Sequence, residues 1–204
     1  MSGNLKKYIP AILLYSRLLF GFIIFITTLL KPENSRVLVL TFMYIGIVTD
    51  VFDGIIARKL KVSTQKLRLL DTIFDLFFYL SILFFVFSIN PAAISGNILL
   101  IGGIFSLEAL MYLVSLIRFR KLPSPHSILS KFWGLYIVIE FSLLIMGVAG
   151  PHFTIALIFG CVAHLDRILI YLFLKQWDHD IPSSYHALLL RQGKEINRKE
   201  IFNG

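Results

Sequence analysis

The stretch whose reading decides the fold runs Asp50-Val51-Phe52-Asp53-Gly54-Ile55-Ile56-Ala57-Arg58, then a basic connector, then Asp71-Thr72-Ile73-Phe74-Asp75. Four carboxylates stand in or beside long apolar runs, where an ionised group is costly enough to imply a function. At about 100° per residue, Asp50, Asp53, Gly54 and Ala57 share one helix face. Asp71 and Asp75, one turn apart, share a face of the next helix. If Arg58 and Arg68 mark a membrane surface, helical rise puts Asp53 and Asp71 roughly 5–8 Å below it, and Asp50 and Asp75 roughly 10–12 Å below. Two antiparallel helices would then gather the four acids in two tiers. Like charges at that spacing resist joint ionisation without cations. Oxygen ligands suit Mg2+ or Mn2+, and a pair of such ions would cradle a pyrophosphate in a phosphoryl transfer.

The rest of the chain has the make-up of a multi-span membrane protein. Of 204 residues, 57% are hydrophobic and only 16% charged, and the mean hydropathy is +0.79. A net charge of +8 does not indicate nucleic acid here, because the basic residues cluster at the ends of apolar runs as juxtamembrane anchors do. The single cysteine, Cys161, excludes an intramolecular disulfide and reads as a small core residue. The first apolar run is too long for a cleavable signal peptide and lacks a clear small-x-small end.

Six runs, at about residues 8–30, 36–60, 67–89, 97–117, 130–149 and 152–174, are long enough to span a bilayer. The fold class expected is an all-α integral membrane protein, with residues 1–175 forming one six-helix transmembrane domain. Residues 176–204 read as a polar cytoplasmic tail, in which Tyr185 to Gly193 suits a short amphipathic surface helix. Most of the 20 basic residues fall on one side of this topology: Lys6 and Lys7, the connector Arg58 to Arg68, Arg118 to Lys131, and the tail. Only Lys31 and Arg36 lie between spans on the other. Both termini and the acidic site are therefore expected to face the cytoplasm, with a bacterial inner membrane as the setting.

The pattern D-x2-D-G-x2-A-R-x8-G-x3-D-x3-D resembles that of the CDP-alcohol phosphatidyltransferases, membrane enzymes that build phospholipids from CDP-activated lipids. Asp50, Asp53, Gly54, Ala57, Arg58, Asp71 and Asp75 match it in register, and Leu67 stands where the family has a second Gly. The resemblance implies transfer of a phosphatidyl group from a CDP-lipid to an alcohol with release of CMP, dependent on Mg or Mn, with two ions expected. It implies that Asp50, Asp53, Asp71 and Asp75 hold the metals and that Asp75 is the catalytic base. Asp50, Gly54, Ala57, Arg58 and Leu67 would bind the nucleotide. That Gly lets the nucleotide approach the backbone closely, so a Leu side chain there would intrude. The implied partners are the donor, the acceptor, membrane lipid and a second copy in a homodimer, with no nucleic acid. The first span, with Ile9, Pro10, Leu13 and Arg17, partly resembles the N-I-P-N-x-L-T-x-x-R of bacterial phosphatidylglycerophosphate synthases.

Arg17 needs an anion inside the membrane, which the acidic cluster or the donor's phosphates would supply. Arg167 is read as serving either Glu140 or a substrate phosphate, and Lys131 as a candidate for holding a phosphorylated acceptor. These three cations favour glycerol 3-phosphate or inositol phosphate over serine, with phosphatidylglycerol still open; glycerol 3-phosphate is the expected acceptor. Two alternative functions are an ion- or proton-coupled transporter and an inactive scaffold. The short chain, the absence of a repeat and the gathering of acids at one face weigh against the transporter.

Overall fold

A computed structural model describes residues 9–60, 65–124 and 127–196, without the side chains of Gly54, Ala57, Arg58, Lys59, Gln65, Lys66 and Arg68. The described chain is helical: α1 (Ile9–Leu30), α2 (Ser35–Lys59), α3 (Gln65–Ile89), α4 (Pro91–Ser95), α5 (Ile98–Phe119), α6 (Ile128–Ile145), α7 (Pro151–Phe173) and α8 (Ser184–Arg191). Six of these are long and apolar enough to cross a membrane, as the six apolar runs require. The chain is an integral membrane protein, since in lipid a backbone must satisfy its hydrogen bonds within its own helix.

Local signals set the ends. Pro151 occupies the first turn of α7, where its missing N–H costs nothing. Arg120 takes a left-handed conformation with φ of 54° and closes α5 through its N–H on the Leu116 carbonyl. Gly147, with φ of +89°, turns the chain just after α6, so that helix stops at Ile145 rather than at the expected 149. The short α4 was not expected; Pro91 starts it directly after α3.

Two compact units emerge, Met1–Ala92 with Phe141–Val148, and Ala93–Glu140 with Ala149–Gly204. In the first, α1 packs along both α2 and α3. The expected hairpin of α2 and α3 is thus wedged by α1 rather than paired on its own. Close approach depends on two glycines. A methyl group on Gly21 would lie 2.9 Å from the Phe77 ring and 3.3 Å from the Phe78 backbone, and one on Gly46 would run into the fully buried Phe78 ring. Small residues at such crossings are how membrane helices gain contact without a hydrophobic drive between them.

In the second unit, α5 and α7 run parallel. Thr154 near the start of α7 donates to Asn97, just before α5, at 2.8 Å. At the other end Arg118 of α5 donates to the Tyr171, Leu172 and Leu174 carbonyls at 3.1, 2.5 and 3.1 Å. Those are orphan acceptors of the last turn of α7, capped here by a side chain. The tail closes over this end: α8 packs on α7, and Met111, Ile168, Tyr171, Leu174, Ile181 and Ala187 share one buried cluster.

Gly46→Leu is expected to overpack the Phe78 site and cost about 1–3 kcal/mol. The check is the unfolding midpoint of the purified protein in detergent, where adding Phe78→Ala to Gly46→Leu should recover part of the loss.

Candidate active site

The four aspartates of the defining stretch converge on one side chain. Asp50 and Asp53 are three apart on α2, Asp71 and Asp75 four apart on α3, so each pair shares a helix face. Between them stands Arg17 of α1, only 1% exposed. Its Nη1 lies 2.7 Å from Asp50 Oδ1, donates to Asp71 Oδ1 at 3.1 Å and donates to Asp75 Oδ1. Its Nη2 donates to Asp53 Oδ2. The remaining nitrogen, Nε, is buried without a partner.

The cluster has a closed side and an open side. The Asp53 side chain is 10% exposed, while those of Asp50 and Asp71 are 38% and 42% exposed. One carboxylate oxygen from each of Asp50, Asp53 and Asp71 lies within 4.8 Å of the others. One guanidinium leaves most of the charge on four carboxylates uncompensated. Such a site draws further cations, and its all-oxygen donor set suits hard divalent ions.

A model of the CDP-alcohol phosphatidyltransferase family matches residues 7–172, which include Arg17 and all four aspartates. The chain belongs to this family. No curated protein and no solved structure matches it. CDP-alcohol phosphatidyltransferases are membrane transferases of phospholipid biosynthesis that move a phosphatidyl group from a CDP-alcohol to an acceptor. They use divalent metal ions, and the oxygen-only cluster of Asp50, Asp53 and Asp71 is chemically fit to hold one. Gly54, Ala57 and Arg58 continue α2 beyond Asp53, with side chains outside the described residues. Leu67, at the position of the family Gly, is half-buried in the first turn of α3.

The other expected site residues lie in the second unit. Lys131 is exposed on the first turn of α6. Arg167 pairs with neither Glu140 nor any group outside its unit among the described contacts. Its Nη1 and Nη2 donate to the two Glu108 carboxylate oxygens at 2.5 and 3.3 Å, a bidentate fit that only a planar guanidinium gives. Glu108 Oε2 also lies 3.3 Å from His164 Nε2. His164 Nδ1 lies 2.7 Å from the Gly160 carbonyl; a carbonyl only accepts, so that nitrogen carries hydrogen. Glu140 is instead 2.5 Å from His152 Nδ1, across the turn that joins α6 to α7. These carboxylate pairings were not readable from spacing, since each joins residues of different helices and the spacing within one helix does not give the register between two. Arg17 was closer to legible: by helical rise it lies about 12 Å into α1, level with the acids.

Removing Glu108 would strand Arg167 and His164 in an apolar surround. Glu108→Ala is expected to cost about 2–3 kcal/mol of stability. In a double-mutant cycle, Glu108→Ala with Arg167→Ala should cost less than the sum of the two single changes.

Proposed function

We propose that this chain transfers the phosphatidyl group of CDP-diacylglycerol to glycerol 3-phosphate and releases CMP. The observation that carries the reading is the convergence of Asp50, Asp53, Asp71 and Asp75 on one point, inside the residues that match the family. Asp50, Asp53 and Asp71, with one oxygen of Asp75, would hold Mg2+ or Mn2+, as two ions. Bound there, such ions supply charge stabilisation to the diphosphate oxygens.

The protein's own groups do the rest. Asp75, with 28% of its side chain exposed, accepts the proton of the acceptor hydroxyl. The acceptor oxygen bonds to the lipid-side phosphorus as the bond from that phosphorus to CMP breaks. The exposed edges of Asp50 and Asp71 give the diphosphate its approach. Gly54 and Ala57, small residues that share a helix face with Asp53 by period, would let the cytidine diphosphate come close to the backbone, and Arg58 would offer it a fixed positive charge. Leu67 narrows the same pocket. Lys131, near the cytoplasmic end of its span by sequence, favours an acceptor that carries a phosphate, whereas Arg17 and Arg167 are engaged by carboxylates. The asymmetry of lysine and arginine supports a site on the cytoplasmic side of a bacterial inner membrane. Residues 1–175 form the transferase domain and 176–204 its cytoplasmic tail. The working form is a homodimer, which cross-linking in native membranes tests.

The decisive experiment incubates purified protein with radiolabelled CDP-diacylglycerol, Mn2+ and a panel of alcohols. Labelled lipid product should form with glycerol 3-phosphate and should vanish with EDTA. Asp75→Asn should lower the rate by about 10²–10⁴-fold, the span of a lost general base. CMP release that survives this substitution unchanged would remove the assignment of the base. Leu67→Gly should lower the KM for the CDP-donor; an unchanged KM would show that Leu67 points away from the nucleotide.

A further inference from the structure

Arg17 points its guanidinium into the cluster of aspartate oxygens. It is buried to 1% exposure, reaches one oxygen on each of the four aspartates and leaves its own Nε buried without a partner. A guanidinium serving only to tie two helices would need one carboxylate and would turn its remaining donors to carbonyls or solvent. Here one side chain from α1 holds two acids of α2 and two of α3. Three of those acids, Asp50, Asp53 and Asp71, are the group whose oxygens lie close enough together to share an ion.

We propose that Arg17 is the built-in counter-cation of the acid site, and that divalent metal enters by exchange with it rather than by filling a vacant site. This rests on the metal-dependent reading above. Asp50 Oδ1, Asp53 Oδ2 and Asp71 Oδ1 each face a guanidinium nitrogen, and an oxygen that accepts from Arg17 is shielded from a metal until that nitrogen withdraws. Two consequences follow from charge alone. Without metal, Arg17 keeps four like charges from forcing α2 and α3 apart, so the protein stays folded. With metal, the guanidinium repels the incoming ion at short range, so affinity is lower than the carboxylates by themselves would give. Arg17 is thus a positioning residue that sets how much metal the site demands.

The test uses the full chain in nanodiscs. Mn2+ binding is read from the loss of the free-ion electron paramagnetic resonance signal, and thermal unfolding is followed in EDTA and in Mn2+. Arg17→Gln should bind Mn2+ at least ~10-fold more tightly than the unaltered protein. It should also unfold at a lower temperature in EDTA and regain most of that loss in saturating Mn2+. Arg17→Lys, which keeps the charge but not the fork, should fall between the two. An Arg17→Gln protein with unchanged or weaker Mn2+ affinity overturns the exchange, as does one that stays unfolded even in saturating Mn2+, since metal is then no substitute for the guanidinium. Unaltered protein that binds no Mn2+ would instead sink the metal-dependent function itself. Loss of binding in Asp50→Asn with Asp71→Asn shows that the ion counted is the one at this site.

Discussion

Charge inside a membrane protein has to be met by charge, and here one arginine gathers four aspartates and offsets part of their charge. A carboxylate in an apolar surround is costly unless paired, and a bundle that carried four without a cation would be pushed open where it is meant to be closed. The Arg17 fork meets all of them. That requirement explains why α1, and not simply the α2–α3 pair, is the central helix of its unit. Gly21 and Gly46 then let the helices close near the crossing that the ion pairs fix.

The same rule operates in the second unit with smaller sets. Glu108 pairs with both terminal nitrogens of Arg167 and approaches His164, and Glu140 meets His152. Asp166 accepts from the Ser184 N–H at 2.9 Å, which supplies a partner to one of the orphan donors at the start of α8. Ionisable groups in membrane spans are rare because each must find such a partner, and these find theirs on neighbouring segments.

Much of this was legible in the sequence. Six apolar runs gave six helices, and the fixed gaps among Asp50, Asp53, Asp71 and Asp75 placed two acids on each of two faces. Helix faces follow from period alone. What period does not contain is the choice of neighbour. The wedge of α1 between α2 and α3 depends on Gly21 meeting Phe77 and Phe78, a match between residues more than fifty apart. Arg167 was open to Glu140 or a phosphate for the same reason: the register of α5 beside α7 decides it, and that register is written in contacts such as Thr154 with Asn97. The early end of α6 came from Gly147 in a left-handed turn, inside a run whose hydropathy continues past it.

The ties beneath α7 carry one more implication. Residues resembling the family stop at 172, but the load does not. Arg118 grips the Leu174 carbonyl, Trp177 donates to the Leu122 carbonyl at 3.1 Å, and Asp166 holds the first turn of α8. A chain trimmed to the shared region would keep every group proposed for chemistry, yet it would bare the underside of Met111, Ile168 and Tyr171 and leave Asp166 without its donor. Heredity and architecture therefore draw their borders at different places in this protein, and anyone shortening or tagging it should respect the second.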